Sequence, residues 1–321
     1  MNFLSYLPKP FLVLAPMDDV TDTVFRQVIA DCAPPDIFFT EFVNVDGLQS
    51  RGRKRIIHKF AFTPKEKPLI AQIWGKNPEN YKKVAQELVE MGFDGVDINM
   101  GCPDKSVVKN GCCSALINNR DLALEIIRSV KKGVNGKIPV SVKIRTGFSD
   151  VDFTWPELIL KQGIDMLSVH GRTTKELSKV PARWDDIKKI CEIRDKIAAS
   201  TLIVGNGDVQ SRQQAIALAQ ETGVDGVMIG RAVLTDPFVF AINSNWLKTV
   251  QTERLKLYKK HIELFARTYQ NNERNWQSLK RMSKLYIHGI ENASKFRDQL
   301  VRSESLNEMS KLLELRINEI S

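Results

Sequence analysis

Eight short apolar segments, each followed by room for one helix, constrain this chain more than any other feature. They occupy residues 11–17, 37–43, 68–75, 95–102, 139–147, 166–172, 201–208 and 226–231. The stretches between them carry apolar residues at helical spacing. Residues 78–91 put Val84, Leu88 and Met91 on one face, and 121–130 and 211–222 behave alike. Strands alternating with amphipathic helices pair in parallel through right-handed crossovers. Eight such units in roughly 230 residues predict a closed (β/α)8 barrel, the TIM barrel, rather than an open sheet.

In such a barrel the reactive groups sit where strands end. Polar residues collect there: Asp18, Glu41, Gln72, Asn99 with Cys102, Lys143 with Arg145, His170 with Arg172, Asn206 with Asp208, and Arg231. Their gathering on one rim points to an enzyme.

The fourth segment breaks at Gly101-Cys102-Pro103 and is followed by a loop with Lys105, Lys109, Asn110 and Gly111, before a helix expected near Ser114. A thiol at a strand mouth is placed for chemistry; the alternative is a buried cysteine in a tight turn. In the fifth segment, strand alternation turns Lys143 and Arg145 to the same side. Two confined cations repel unless an electron-rich ligand lies between them, or unless they bridge to Asp97, Glu41 or Asp208. Gly205-Asn206-Gly207-Asp208 and Gly230-Arg231 end the seventh and eighth segments, whose loops in barrels hold phosphate on backbone N–H groups. Arg231 would add a charge-assisted bond. His170, ending the sixth, reads as a ligand contact.

Several classes are excluded. The glycines lack the dinucleotide-fold spacing, and no nucleoside-triphosphatase phosphate loop occurs. His58, His170, His261 and His288 offer no paired spacing for a metal, and Cys102 with Cys112-Cys113 matches neither zinc nor iron–sulfur patterns. No metal is expected, and Cys112 and Cys113 read as packed residues at a helix start. Five cysteines without a secretory start suit a reducing cytoplasm. No run nears the ~18 apolar residues of a membrane span, and nothing points to an obligate protein partner.

Beyond Pro237 the pattern becomes helical. Leu255, Tyr258, Ile262 and Phe265 form one stripe, and Leu279, Met282 and Tyr286 a second that Gly289 would end. Leu306, Met309, Leu313 and Ile317 form a third, opened by a capping box of Ser305 and Glu308. Two domains are expected, a barrel over 1–245 and a small helical domain over 246–321. The net charge is +9, and 246–321 carries 15 Lys+Arg against 9 Asp+Glu, while 1–245 carries 32 against 29. A basic tail on a near-neutral body suits a large anionic partner or a solvated helical surface.

As a set, certain pieces resemble the tRNA-dihydrouridine synthase family, flavoenzymes that reduce uridines in tRNA. They are Ala15-Pro16-Met17 with Thr21-Asp22, Gln72, Asn99-Met100-Gly101-Cys102-Pro103 and Val142-Lys143-Ile144-Arg145-Thr146-Gly147. His170-Gly171-Arg172-Thr173, Gly205-Asn206-Gly207-Asp208 and Gly230-Arg231 continue the series in family order. The tail Tyr286-Ile287-His288-Gly289-Ile290 with Phe296-Arg297 is similar to the helical RNA-binding domain of the bacterial branch.

The resemblance implies FMN on the rim, with Pro16, Met17 and Asp18 near the isoalloxazine and Gln72 and Lys143 on the ring. Asn206, Gly207, Asp208, Gly230 and Arg231 would surround the ribityl phosphate, with His170 nearby. It further implies NADPH as reductant, tRNA as substrate with rRNA left open, and Cys102 as the acid that protonates uracil C5. Asn99 and Arg145 would contact the base. Three departures stand out: Asp18-Asp19 and Cys112-Cys113 occupy positions where the family carries small residues or glycine, and Ala232-Val233-Leu234-Thr235-Asp236-Pro237 is less glycine-rich than is typical. The competing readings are an FMN barrel reducing a free pyrimidine or other enone, and a flavin-free RNA-binding barrel.

Overall fold

The computed structural model describes residues 2–271, 273–288 and 291–320; Gly289 and Ile290 of the tail motif lie outside them. Strands form at β1 (Phe11–Leu14), β2 (Phe38–Phe39), β3 (Val43–Asn44), β4 (Leu69–Trp74) and β5 (Gly95–Met100). They continue at β6 (Val140–Arg145), β7 (Met166–His170), β8 (Leu202–Asn206) and β9 (Gly226–Ile229). Neighbours run parallel in the order β1-β9-β8-β7-β6-β5-β4-β2, and a Val13–Ile37 bridge joins the two ends. The sheet therefore closes as a barrel.

The second expected strand is interrupted. β2 and β3 both pair with β4, but Thr40, Glu41 and Phe42 lie outside the two ladders. The Thr40 hydroxyl donates to the Glu41 carbonyl at 2.7 Å and accepts from the Gln72 N–H at 3.1 Å. The Thr40 N–H still donates to the Ile70 carbonyl at 3.0 Å, so the side-chain hydroxyl replaces only the acceptor half of the backbone pairing.

Period-two alternation sorts the interior. Phe11, Val13, Ile37, Phe39, Ile70, Met166, Val204 and Met228 pack inside the barrel with Leu4 against them. Gly226 faces this core; a Cβ there would lie 2.4 Å from the Phe11 ring. Nearer the mouth the inward rows become polar. Gln72, Asp97 and Ser141 stand in register, then Asn99, Lys143 and Ser168, then Arg145, His170 and Asn206.

Around the barrel lie α1 (Thr23–Cys32), α2 (Val45–Leu48), α3 (Pro78–Glu90) and α4 (Lys105–Lys109). They are followed by α5 (Arg120–Val134), α6 (Thr154–Leu160), α7 (Trp184–Ile197) and α8 (Arg212–Thr222). Asp22, Asn77, Asn119 and Ser211 cap four of them, each satisfying an N–H that the first turn leaves free. The expected loop at 105–109 is helical because the Asp104 carboxylate takes the Ser106 and Val107 N–H groups. Conversely, the helix expected near Ser114 is a 3-10 turn, Cys113–Asn118, and α5 starts only at Arg120.

The tail forms α9 (Gln251–Thr268), α10 (Ser278–Tyr286), α11 (Ala293–Arg302) and α12 (Leu306–Ile320). Leu255, Tyr258, Ile262, Phe265, Leu279, Met282, Tyr286, Met309 and Leu313 are buried, as the stripes predict, while Leu306 and Ile317 at the ends of the third are half-buried. The capping box is displaced: Ser305 accepts from the Glu308 N–H at 3.1 Å, but Glu308 reaches back to the Glu304 N–H at 2.6 Å. Among the described residues no helix is long and apolar enough to cross a membrane.

Candidate active site

A cavity of about 240 Å³ opens at the strand ends of β1 and β6–β9. Pro16, Met17, Lys143, His170, Asn206, Gly207, Asp208, Gly230 and Arg231 all line it, with Arg172 beside them. Nine of the eleven residues expected around a cofactor thus meet in one place. Gly207 adopts φ +131°, and a Cβ there would lie 2.5 Å from Ala182 and 3.3 Å from His170. Only glycine leaves this wall open.

The charges on this wall are ordered. Asp208 accepts from Arg231 at 2.9 Å, from the Ala182 N–H at 2.9 Å, and from Arg172. Arg172, followed by burial against it and the Ala182 N–H, holds the Asp208 carboxyl below its ordinary range. Arg172 also approaches His170 Nε2 at 3.1 Å. A guanidinium can only donate, so Nε2 accepts and the imidazole proton sits on Nδ1. Burial first, then Lys143, Arg145, Arg172 and Arg231, push the His170 pKa far down, leaving the ring neutral.

Lys143 faces the same cavity. Its ammonium has no hydrogen bond or ion pair among the described residues, so the bridges to Asp97, Glu41 or Asp208 do not form. Burial, followed by repulsion from Arg145, brings it down to about 8. Asp97 is engaged elsewhere, by Ser141 at 2.5 Å and Gln72 at 2.7 Å. Burial raises it to about 6 despite both bonds.

Two of the expected cofactor residues do not line the cavity. Gln72 is fully buried, donating to Asp97 and accepting from Asn99 at 2.9 Å. Asp18 pairs with Lys59 and lines a neighbouring groove of about 420 Å³ with Val20, Leu234, Met282 and Leu285. An acid beside a lysine turns toward that charge, whereas the sequence shows no partner for it.

Asn99 and Arg145 build the loop that carries Cys102. The Asn99 carbonyl oxygen accepts from the Gly101 N–H at 3.1 Å and the Cys102 N–H at 2.9 Å. Arg145 Nε donates to the Gly101 carbonyl at 2.9 Å, and its Nη1 to those of Thr173 at 2.9 Å and Leu177 at 3.0 Å. Among the described residues, only Nη2 of that guanidinium makes no hydrogen bond. Burial lowers Arg145 to about 10, still cationic at neutral pH. Cys102 is half-buried against a small cluster of Trp74, Val107, Cys112 and Cys113. The Cys113 thiol, outweighing burial and aided by the Asp104 N–H, brings Cys102 down to about 7.

Sequence reasoning missed the clasp on the opposite side of the mouth. Arg274, between α9 and α10, donates to Glu41 at 2.8 Å and pairs with Asp22 at 3.0 Å. Tyr269 donates to Asp22 at 3.2 Å, and Glu41 in turn accepts from the Asp19 N–H at 2.7 Å. The Arg274–Glu41 bond spans 233 residues, so nothing local announces it; the only signal was Glu41 among the rim acids. Among the described residues no group of three or more His, Cys, Asp or Glu could hold a metal ion.

A closed parallel barrel that gathers charged groups, several of them buried, at one mouth is the fold of a (β/α)8 enzyme. The chain matches the family described as dihydrouridine synthase (Dus) over residues 13–320, and it belongs to that family. It is 42% identical over 316 residues to a probable tRNA-dihydrouridine synthase of Staphylococcus aureus (strain COL), covering 98% of this chain and 95% of that one. A probable tRNA-dihydrouridine synthase 2 of Bacillus subtilis (strain 168) is 42% identical over 98% of this chain and 96% of its own.

Among solved structures, histamine dehydrogenase from Rhizobium sp. 4-9 superposes with TM-score 0.54 at 11% identity, over 79% of this chain and 48% of that one. A 2-naphthoyl-CoA reductase superposes with TM-score 0.56 at 12% identity, over 71% and 49%. This chain spans about half the length of each, and the likeness is one of fold.

Proposed function

We propose that this chain is an FMN-dependent tRNA-dihydrouridine synthase, which reduces the C5=C6 bond of particular uridines in tRNA with hydride derived from NADPH. Beyond family membership, the observation that carries this is Lys143, a half-buried ammonium without a hydrogen bond or ion pair among the described residues, at the edge of a cavity walled by glycines and Arg231. An electron-rich ring with a phosphate tail fits that donor set. Lys143 would face the electron-rich edge of the ring, and Pro16 and Met17 would flank it. Gly207, Gly230 and Arg231 would take the phosphate, while Asp208 holds Arg172 and Arg231 in place. Neutral His170 adds a polar contact without a third charge. A bound flavin supplies the hydride that adds to uracil C6.

The remaining steps belong to the chain itself. As negative charge builds over C5 and O4 of the base, the Cys102 thiol gives its proton to C5. A thiol near neutrality is a suitable general acid at physiological pH. Arg145, with Nη2 free, would steady the developing charge on the pyrimidine. Asn99 holds the Cys102 loop through its carbonyl oxygen and keeps one amide N–H for the base edge.

To reach this mouth the uridine must leave its stack, at a cost of a few kcal/mol. Phosphate contacts to residues 246–321, read as the RNA-binding domain beside a catalytic barrel of 1–245, would offset that cost. A cytoplasmic enzyme is implied by its substrate.

The test has three arms. Purified protein should show a flavin spectrum; its NADPH oxidation should rise on adding unmodified tRNA; and dihydrouridine should vanish from defined tRNA positions in cells lacking the gene. NADPH oxidation driven by free uracil but indifferent to tRNA would establish the small-molecule reading instead. Loss of dihydrouridine confined to rRNA would reassign the substrate.

A further inference from the structure

Below the mouth, four buried side chains form a continuous chain of hydrogen bonds that ends on the Cys102 loop. Parallel register places Gln72 of β4, Asp97 of β5 and Ser141 of β6 in one row. Asn99 stands two residues further along β5, on the same face as Asp97. Ser141 Oγ donates to Asp97 Oδ1 at 2.5 Å, and Gln72 Nε2 donates to Asp97 Oδ2 at 2.7 Å. Gln72 Oε1 accepts from Asn99 Nδ2 at 2.9 Å, and the Asn99 oxygen accepts from the Gly101 and Cys102 N–H groups. All four side chains are buried, and the chemistry above gives Asp97 no part.

The direction of this chain is fixed at both ends. A carboxylate only accepts, so Gln72 must turn its NH2 group to Asp97 and its oxygen to Asn99. At the other end two backbone N–H groups only donate, so Asn99 must turn its oxygen to them and its NH2 group to Gln72. One orientation of each amide satisfies every partner. Turning either over would set two donors or two acceptors face to face in a buried place. Although burial raises the Asp97 carboxyl, it is ionised at neutral pH, and Lys143 on the next strand favours that form.

We infer that Asp97 is a positioning residue for the Cys102 loop: through Gln72 it fixes the amide of Asn99, whose oxygen holds the two N–H groups of the turn that carries the thiol. The inference deepens the proposed function and rests on Cys102 being the proton donor. No proton travels along the chain. Its part in the reaction is to keep the thiol in one place while C5 is protonated.

The test reverses one bond of the chain in the full-length protein. Gln72→Glu sets two carboxylates against each other where a donor stood. Adding Asp97→Asn returns a donor to that gap: the new amide donates to the new carboxylate, and its oxygen still accepts from Ser141. Every bond is then restored, with one of them reversed. Hydrogen–deuterium exchange of a peptide spanning 99–104, read by mass spectrometry, reports the Gly101 and Cys102 N–H groups without reference to activity. Gln72→Glu should speed that exchange about tenfold, as for one lost hydrogen bond, and should slow single-turnover uridine reduction. The double variant should return both toward the parent. Asp97→Asn alone should have the smaller effect of the two single changes, because its oxygen still accepts from Gln72, though more weakly than a carboxylate. Unchanged exchange in Gln72→Glu, or a double variant that exchanges as fast as Gln72→Glu, overturns the inference. Should Gln72→Glu not fold, a double variant that also fails to fold overturns it likewise. If exchange follows the expected pattern while the reduction rate stays at the parent value throughout, the brace stands and Cys102 is not the proton donor.

Discussion

Replacing Arg274 with methionine should do more damage than its place in the helical tail suggests. The arginine side chain is 5% exposed and its partners Asp22 and Glu41 are 6% and 0% exposed. Removing one member of a buried ion cluster leaves the others uncompensated, which costs about 3–5 kcal/mol. Here the Asp19 N–H and a more distant Lys59, at 3.7 Å, still support Glu41, so the lower end, ~3 kcal/mol, is expected. With an unfolding entropy of about 2.1 cal/mol/K per residue, that corresponds to a fall of roughly 4–5 °C in Tm for a chain of this length.

The pH dependence supplies a sharper check. Burial already raises the Glu41 carboxyl in spite of Arg274, and losing the arginine pushes it further up. A carboxyl with a raised folded pKa adds stability below its unfolded value and loses it as pH rises through the folded one. The Arg274→Met penalty should therefore be greatest near pH 7 and shrink as the pH falls toward the ordinary glutamate range. Urea unfolding followed by circular dichroism at several pH values measures it. A penalty under ~1 kcal/mol, the size of an exposed pair, or one unchanged by acid, would refute the reasoning.

Other outcomes are equally concrete. Cys102→Ala should retain flavin yet slow uridine reduction about 10²–10⁴-fold, the range for a lost general acid; apoprotein from that variant would contradict the assignment. Lys143→Ala should weaken FMN binding to apoprotein by roughly 10- to 100-fold, as for a lost bond to a charged group, read by fluorescence titration. In the parent, FMN affinity should decline above pH 8 as the Lys143 ammonium, lowered to about 8, is lost. Single-turnover reduction at saturating tRNA should fall as pH rises through about 7, where Cys102 gives up its proton. Substituting exposed Arg281 and Lys284 should lower tRNA affinity and reduce the salt slope by about 1 for each phosphate contact removed. These substitutions are cleaner than deleting 246–321, which would also strip Arg274 from buried Asp22 and Glu41.

Much of the architecture was legible because its cause is local. Strand and helix periods depend on which face of a short segment is apolar, so eight repeated units announced the barrel and the polar strand ends announced the mouth. Nine residues expected around a cofactor do line one cavity, since parallel register carries a strand-end position directly into space. The fate of individual side chains was not local. Asp18 turned to Lys59, Gln72 sank beneath the mouth onto Asp97, and Arg145 spent most of its donors on backbone carbonyls. Each was decided by which partner from elsewhere in the fold stood within 3 Å or so.

The sequence by itself therefore determined the kind of scaffold and which residues reach its open end, because both follow from periodicity along the chain. Only the tertiary structure decided the pairing of Arg274 with Glu41 and Asp22. Those contacts join segments whose separation leaves no pattern to read, and a charge or thiol acquires its chemistry from whatever folding brings beside it.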